Sequence, residues 1–506
     1  MNALDFRKRA IMSVINNVKG FERSVSGTSV TLEGCVDDDS IIDYKIYGNC
    51  YQDGEPSIEN PIEVQCVGDR TKNLFDISST RGFQSIYGAL TNTVKNDELI
   101  VSTTAAARSC RMELGIFKAG TYTISFKCVN LNCGWGIETG DDLSSLTDIG
   151  LFPSATKQNL TFTLSETNKI WLKLHSIINT IPSYTFSNIQ LEEGSEVTDY
   201  EPYGKYKIPI TASGKNLFDK NDYVLEGNYL AFSCKHLKLG KTYTIVTNKQ
   251  INLFKISDYF TSGTNVLRWN FTTVSFNLTE AVDNLPNKYM YIRFNSADGV
   301  INDIAQLDGA QLMIVEGSYT SETIGDYEPY YEPITTNIYL DEQLRGIDSY
   351  LDCVGYKDEF LERNIAKRFI LSSDVGNKSA TSTNTWYSYF VQMPSNVVFS
   401  VRVLSNIGGN SYNMYMSHRA NGDDGGFYAN INSSYFLAFR DLTTKEEIQS
   451  YLDNTEVYAY YVIQPIEIPI TLPKLPTFKG TTIYKVGTSL QPANIEIKYY
   501  SNIKGE

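Results

Sequence analysis

Three histidines, His175, His236 and His418, are the residues best suited to acid–base chemistry near neutral pH. They lie far apart in the sequence, and none belongs to an HExxH zinc motif. The sequence also has no GxSxG nucleophile elbow, no P-loop and no GxGxxG fingerprint in a suitable strand–helix context. Carboxylates are abundant, but a glycosidase pair is defined by a distance in space that a sequence does not give. We therefore expect no enzymatic activity, no catalytic residue and no cofactor.

Two of the four tryptophans have the neighbours expected of a carbohydrate-binding site. Trp135 and Trp386 lie in polar, turn-like sequence, where an aromatic face can stack on a sugar and Asn, Asp or Gln can bond to its hydroxyls. Trp171 and Trp269 lie within predicted strands and fit core positions better. For each tryptophan, the alternative is that it fills a core or a seam between domains. Trp135 and Trp386 are the candidate glycan contacts.

Metal chemistry has weaker support. The eight cysteines form no CxxC pair and no spacing typical of zinc, which is consistent with buried thiols of a protein made in a reducing cytoplasm. The run Asp37–Asp39 lacks the ligand spacing and the glycine of an EF-hand loop. The pairs Asp141–Asp142 and Asp423–Asp424 could hold a structural calcium, but solvated turns are the better interpretation. We expect no metal ligands.

The composition is that of a globular protein rich in tyrosine. Its 506 residues include 35 Tyr and 24 Phe but only 4 Trp. Tyrosine- and threonine-rich segments suit half-buried pleated surfaces, which favours a mostly β fold. A formal charge of −14 argues against nucleic-acid binding, because an acidic surface repels phosphate backbones. No apolar run approaches the roughly 18 residues of a membrane span, and the N-terminus does not fit a signal peptide, so we expect neither membrane insertion nor secretion by the general route.

Four phrases occur twice in the same order. The copies are 143 residues apart at the opening phrase and 127 at the closing phrase, which predicts two tandem modules of similar fold. The second closing phrase has extra residues between Gly317 and Asp326, so its loop should differ. The paired phrases are KNLFD at Lys72–Asp76 and Lys215–Asp219, KAGTYTISF at Lys118–Phe126 and LGKTYTIV at Leu239–Val246, IWLKLHS at Ile170–Ser176 and MYIRFNS at Met290–Ser296, and DYEPY at Asp199–Tyr203 and Asp326–Tyr330. We interpret DYEPY as a clamp that closes each module, not as a sugar site.

The fold class that follows is mostly β and multi-domain, with tandem β-sandwich, jelly-roll-like modules and a short N-terminal helix. Short strands separated by turns predict sandwiches at residues 71–203 and 204–331. Residues 1–20 are predicted to form an amphipathic helix for attachment or oligomerisation, with packing on its own protein as the alternative. Residues 21–70 are predicted to be a small β region and connector.

The C-terminal part is predicted to be a β module with one helix at residues 332–470, followed by a β-hairpin at residues 471–506. The helix, Thr443–Asn454, has a capping box from Thr443 to Glu446 or from Thr444 to Glu447. Four proline-marked segments rich in Ile and Thr recur along the chain, and we expect them to be strands of a shared hub. They are Pro61–Gly68, Lys207–Gly214, Glu332–Leu340 and Ile466–Leu472.

Several of these phrases resemble structural proteins of bacteriophages and prophages of Gram-positive bacteria. The resemblance runs from about Gly48 to Ser501 and rests on YQDGEPSIENPIEV, KNLFD, the DYEPY closings and YYVIQPIEIPITLP with QPANIEIKYYS. It implies carbohydrate-binding-like β-sandwich modules on a tail, baseplate or receptor-binding protein that is commonly trimeric and touches host wall polysaccharide. It supplies no catalytic residues.

We therefore expect a virion structural protein, made in the bacterial host cytoplasm, that presents its modules to the host surface. Its expected partners are itself, as a homotrimer, other virion proteins and host wall polysaccharide. Weak sugar sites repeated by oligomerisation would gain avidity. One alternative is an architectural spacer or decoration protein of tail or head without a ligand. Another is an enzyme that trims wall polymer, which needs a cleft with paired carboxylates.

Overall fold

The computed structural model describes most of the chain. The predicted N-terminal helix lies outside the described residues, except for Gly20, which begins a strand. The described ranges are 20–35, 42–48, 67–77, 84–86, 90–95, 98–103, 109–128, 134–143, 145–152, 158–175, 183–261, 266–278, 285–294, 299–347, 350–365, 369–370, 387–391, 404–405, 426–429, 435–439, 444–454, 458–460, 462–487 and 493–502.

The fold is mostly β and consists of several separate antiparallel sheets, which confirms the predicted fold class. Residues 68–207 and 339–343 form one compact unit, and the remaining residues form the other. No helix within the described ranges is long and apolar enough to span a membrane.

The first unit contains a β-sandwich, which we call module one. One sheet has the strand order β11-β10-β13-β8-β5 and the other β12-β9-β14-β7-β6. Alternation explains the arrangement: in Asn159–Leu164 every second side chain is buried, and those side chains join one core with residues of both sheets. The strands of these two sheets are β5 (Gln84–Ile86), β6 (Leu90–Lys95), β7 (Glu98–Thr103), β8 (Ser109–Phe117), β9 (Gly120–Lys127), β10 (Gly134–Thr139), β11 (Thr147–Phe152), β12 (Asn159–Leu164), β13 (Asn168–His175) and β14 (Ser183–Glu193). The short strand β4 (Asp69–Arg70) lies outside both sheets and pairs with Tyr206 and Lys207.

The second unit contains another sandwich, which we call module two. A five-stranded sheet, β16-β17-β22-β19-β20, and a three-stranded sheet, β21-β18-β23, enclose a single core. Two 3-10 turns, Leu285–Asn287 and Ile304–Leu307, lie between strands. The strands are β16 (Tyr223–Glu226), β17 (Tyr229–Ser233), β18 (Lys241–Ile251), β19 (Leu253–Ser257), β20 (Val266–Arg268), β21 (Phe271–Leu278), β22 (Tyr289–Arg293) and β23 (Leu312–Glu316).

Two further sheets combine strands from distant parts of the sequence, and we call them the hub. The orders are β1-β37-β3-β27-β28-β35 and β2-β36-β15-β24. Tyr44 and Tyr484 are buried in the hub, and their hydroxyls donate to the carbonyls of Pro473 and Pro476 at 2.7 and 2.8 Å. The strands are β1 (Gly20–Gly27), β2 (Ser29–Cys35), β3 (Ile42–Tyr47), β15 (Tyr206–Ser213), β24 (Ile334–Leu340), β27 (Cys353–Gly355), β28 (Phe360–Ile365), β35 (Val462–Pro469), β36 (Gly480–Val486) and β37 (Asn494–Asn502).

The hub contains three of the four proline-marked segments. Lys207–Gly214 and Glu332–Leu340 supply β15 and β24, which are neighbours in one sheet. Ile466–Leu472 begins in β35 of the other sheet. Of the fourth segment, Val67 pairs with Leu344 in an isolated bridge, and residues 61–66 lie outside the described residues.

The predicted C-terminal hairpin is wrong. β36 lies between β2 and β15, and β37 lies between β1 and β3 of the other sheet, so the two strands do not pair with each other. Each thereby becomes a central strand with hydrogen bonds along both edges, whereas a terminal hairpin would leave edges open. Residues 20–47 are for the same reason not a separate region, because their strands pair with the C-terminal ones.

Residues 332–470 also differ from the prediction of one module. β27, β28 and β35 belong to the hub, and the remaining strands form small sheets of their own, with the orders β25-β26, β29-β34-β31 and β30-β33-β32. The predicted helix is present as α1 (Lys445–Asn454), and Thr444 and Glu447 form its capping box by two reciprocal bonds. The strands are β25 (Gly346–Ile347), β26 (Tyr350–Leu351), β29 (Phe369–Ile370), β30 (Tyr387–Val391), β31 (Leu404–Ser405), β32 (Gly426–Ala429), β33 (Tyr435–Phe439) and β34 (Tyr458–Tyr460).

Candidate functional site

An asparagine of the KNLFD phrase binds the closing phrase of each module. In module one, the Asn73 Nδ2 donates to the carbonyls of Ile189 and Glu201 at 2.9 and 3.0 Å. Its Oδ1 accepts from the backbone N–H of Phe75 at 2.9 Å and of Leu191 at 3.1 Å. The KNLFD phrase is thus tied both to the last strand of the sandwich and to DYEPY, which confirms the clamp interpretation.

Module two repeats this clamp at Asn216. Its Nδ2 donates to the carbonyls of Leu312 and Glu328 at 3.2 and 3.0 Å, and its Oδ1 accepts from the N–H of Phe218 and Ile314 at 3.0 and 3.1 Å. Both asparagines are buried, so all four bonds are shielded from water. The clamp fixes where the closing segment of module two runs.

The side chain of Glu328 then attaches that segment to the hub. Its carboxylate pairs with Lys215 at 2.8 Å and accepts from both the N–H and the hydroxyl of Thr481 at 2.8 Å. Gly480 makes the approach possible, since a Cβ there would lie 2.6 Å from the carboxylate carbon of Glu328. The same glycine has φ +94, a conformation that favours glycine.

An open groove of about 880 Å³ lies between this closing segment and the hub sheet. Its floor includes Thr31 and Glu33 of β2 and Lys485 of β36, all of which are exposed. Its wall includes Tyr319 and Tyr327, both more than a third exposed. Its polar and aromatic lining makes this groove the candidate binding site.

The longer closing phrase of module two builds part of this wall. Between Gly317 and Asp326 the chain is four residues longer than between Gly194 and Asp199 of module one. The additional length forms a turn in which the Ile324 N–H donates to the Thr320 carbonyl at 3.1 Å. Thr323 and Ile324 of this turn line the groove. The difference between the two phrases, visible in the sequence, therefore produces a surface that module one lacks in its own closing phrase.

The groove offers hydrogen-bond donors and acceptors together with aromatic rings. Within the described ranges, Lys479, Lys485 and Glu33 make no hydrogen bond or ion pair, so their charged ends are available to a ligand. Three further carboxylates line the groove, those of Glu316, Asp326 and Glu328. Cations and anions of similar number suit a neutral, polyhydroxylated ligand such as an oligosaccharide, which presents both donors and acceptors.

A smaller pocket of about 120 Å³ lies beside the groove, and Tyr327 lines both. Tyr330, at the end of DYEPY, contributes to its wall and is 2.8 Å from the Nε2 of His236. The Tyr330 hydroxyl also donates to Glu332 at 2.5 Å. Burial, followed by the bond to Glu332, raises the pKa of Tyr330 above its ordinary value, so the hydroxyl keeps its proton.

His236 belongs to a cluster of charged groups. Burial, followed by the charge of Lys235, lowers its pKa below the ordinary value, and Glu332, Asp222 and Asp219 offset part of this effect. The neutral ring is therefore the favoured form. The side chain of His175 and all of His418 lie outside the described residues.

The predicted glycan contact at Trp135 is wrong. Trp135 is 0% exposed, and its ring packs edge-on against Phe126 at 4.8 Å in the core of module one. Trp135 is opposite Leu174 in the β10–β13 ladder, so both point inward. Trp386 lies outside the described residues. The alternation of Trp135 and Ile137 along β10 was the signal that could have identified the core position.

The two tryptophans assigned to strands differ from each other. Trp171 is buried as expected, and its indole N–H donates to the Gly140 carbonyl at 2.9 Å. Trp269 is 53% exposed, so its predicted core position is wrong. It comes directly after Arg268, the last residue of β20, so its side chain is not packed between the sheets as those of the strand are.

Module one has a cluster of buried charged side chains on the face of the β10–β13 pair that points away from its core. Glu138 pairs with Lys173 at 2.7 Å and with Arg111 through two bonds, at 2.5 and 3.0 Å. Asp148 accepts a further bond from Lys173 at 3.0 Å. Burial would raise the pKa of Glu138, but hydrogen bonds and charges from Arg111 and Lys173 outweigh it and hold that pKa below its ordinary value.

The remaining predictions concern metal ligands and thiols. Asp141 and Asp142 are exposed in a turn, where the Asp142 carbonyl accepts from the Ser145 N–H at 3.2 Å. Asp37–Asp39 and Asp423–Asp424 lie outside the described residues. Four cysteines are buried free thiols, as expected: Cys35, Cys128, Cys234 and Cys353.

No protein-family model matches the sequence. No curated protein matches it either. The proposal for its function therefore rests on the groove, the modules and the phrases of the sequence itself.

Proposed function

We propose that this chain is a virion structural protein of a phage tail, baseplate or fibre that binds host wall polysaccharide through the groove of module two. The observation that carries the binding role is the groove itself. Its exposed tyrosines stand over hub residues whose charged ends have no partner among the described residues. Such a surface binds a sugar chain by ring stacking and by hydrogen bonds to hydroxyls.

The virion role is supported by the phrases that resemble phage structural proteins and by the way the chain is built. Two sandwich modules are repeated in tandem, each closed by the same asparagine clamp. Such a chain presents several modules at once, and self-assembly would multiply weak sites into avid binding. The role proposed is binding and not catalysis.

The test uses the purified full chain with bacterial cells and with extracted wall polysaccharide of Gram-positive candidates. Saturable binding by the natural protein is expected. Tyr327→Ala and Thr31→Trp should each weaken it about tenfold, a loss of about 1.4 kcal/mol. The matched control is Tyr203→Ala, because Tyr203 and Tyr327 are both 41% exposed and Tyr203 lies in the other DYEPY phrase.

The outcomes separate the proposed roles. Equal binding by the Tyr327→Ala variant and the natural protein would remove the groove as the sugar site. Folded protein that binds neither cells nor polysaccharide would instead support an architectural spacer. Release of reducing sugar ends during incubation would support the wall-trimming alternative and contradict a purely binding role.

A further inference from the structure

Module two has an exposed aromatic platform apart from the groove. The Trp269 ring lies against the guanidinium of Arg293, whose central carbon is 5.8 Å from the ring centroid. Trp269 is more than half exposed, whereas Trp135 and Trp171 are buried in module one. An exposed indole whose ring is held by an arginine is a prepared surface for a flat, partly apolar ligand.

The guanidinium of Arg293, the arginine of this platform, lacks an acidic partner among the described residues. Among the described residues, no hydrogen bond or ion pair reaches the guanidinium of Arg293, and its Nε is buried without a partner. A guanidinium has five N–H donors and rarely stays unpaired when partly buried. Its terminal nitrogens match the two oxygens of a carboxylate or phosphate.

The repeat gives an internal comparison. MYIRF of module two corresponds to IWLKL of module one, so Arg293 stands where Lys173 stands. Lys173 has two acidic partners, Glu138 at 2.7 Å and Asp148 at 3.0 Å. In module one, the positive charge at this position is therefore balanced by carboxylates of the same module.

Module two replaces the acid by a base. Glu138 is opposite Trp171 in its sheet, and the residue opposite Tyr291, the counterpart of Trp171, is Lys255. The nearby Glu226 is engaged with the Tyr291 hydroxyl at 2.5 Å and the Phe260 N–H at 2.9 Å. Module two therefore has a lysine at the position where module one has the carboxylate that pairs with Lys173.

We propose that Trp269 and Arg293 form a second binding site, for an anionic saccharide. The indole stacks on the C–H face of a pyranose, and the guanidinium binds a carboxylate or phosphate on that sugar. The site lies on the five-stranded sheet of module two, whereas the groove is lined by the end of β23 in the three-stranded sheet. It stands independently of the virion role.

The experiment is calorimetric titration of the full chain with three probes: an oligosaccharide of glucuronic acid, a glycerol-phosphate polymer that carries sugars, and cellohexaose as the neutral control. At least one anionic probe should bind. Binding of the first alone assigns a carboxylate, and binding of the second alone assigns a phosphate. Trp269→Ala and Arg293→Gln should each weaken that binding at least tenfold, and Arg293→Lys should restore part of it.

Two controls keep this result separate from the groove. Tyr259→Ala removes another exposed aromatic of module two, 60% exposed, and should bind the anionic probe like the natural protein. Tyr327→Ala should also keep anionic binding even if it loses wall polysaccharide. Thermal unfolding verifies that each variant is folded. The proposal is overturned if neither anionic probe binds, or if the Trp269 and Arg293 variants bind as the natural protein does.

Discussion

Asn73 and Asn216 make the same four hydrogen bonds in two different sandwiches. Each amide donates to one strand carbonyl and one carbonyl of DYEPY, and each side-chain oxygen accepts from two backbone N–H groups. A buried side chain that uses both donors and both acceptor sites leaves nothing for water to satisfy. The repeated KNLFD and DYEPY phrases therefore make the same closing contact in both modules.

Replacing either clamp asparagine should loosen the module that it closes. Asn216→Ala leaves four backbone groups without their buried partner, so we expect a loss of about 2–4 kcal/mol of unfolding free energy. Hydrogen exchange measured by mass spectrometry should become faster in module two of the Asn216→Ala variant. In the Asn73→Ala variant, the faster exchange should instead occur in module one. The exposed Asn302→Ala is the control. Unchanged exchange in residues 215–218 and 312–316 would contradict the clamp.

The close contact of Gly480 with Glu328 should make that glycine sensitive to any side chain. In Gly480→Ala, the new Cβ meets the carboxylate and the residue keeps a strained positive φ, so we expect a cost above about 2 kcal/mol. Gly34→Ala is a matched control, because Gly34 has φ +72 but no atom within 4 Å of its Cβ position. It should cost about 1 kcal/mol by strain alone. Chemical denaturation measures both, and equal costs would rule out the steric explanation.

Loss of the shared carboxylate at Glu138 should destabilise module one. Glu138→Gln leaves the buried cations Arg111 and Lys173 without that charge, and breaking such a pair costs about 3–5 kcal/mol. Glu113→Gln is the control, since its 3.6 Å pair with Lys169 is partly exposed and should contribute less than about 1 kcal/mol. Denaturant titration of both variants gives the comparison. A Glu138→Gln loss no larger than that of Glu113→Gln would contradict this account.

The lowered pKa of His236 predicts a loss of stability in mild acid. Protonation is easier in the unfolded chain than in the folded one, so unfolding free energy should fall as pH drops below the unfolded value of about 6.5 and level off below the folded pKa. The His236→Gln variant should lack this component. Thermal unfolding between about pH 7.5 and 5 tests it. A natural protein with the same pH profile as the variant would contradict the prediction.

The sequence predicted those features whose pattern is local. The tandem sandwiches, the clamp and the capping box of Thr444 and Glu447 all follow from phrases or spacings within a few residues. The insertion before Asp326 also pointed to a loop that differs, and that loop became a wall of the groove. Such features depend on alternation and on short hydrogen bonds, which a sequence records directly.

Features that depend on distant pairing were missed. The sequence around Trp135 resembles a polar turn, but its exposure depends on which way the β10–β13 ladder places it. Trp269 resembles a strand residue, and only the end of β20 leaves it exposed. The groove is lined by β2 and β36, two paired hub strands that lie far apart in the sequence. No local sequence pattern predicts that they pair.

The pairing of β1 and β2 with β37 and β36 has a consequence for synthesis on the ribosome. β1 and β2 are translated before both sandwich modules, and their partners β37 and β36 are translated after them. Until then, β1 and β2 have backbone groups without hydrogen-bond partners, a state that favours aggregation or binding by a chaperone. A polypeptide that stops before residue 480 lacks both β36 and β37, so it cannot complete the two hub sheets.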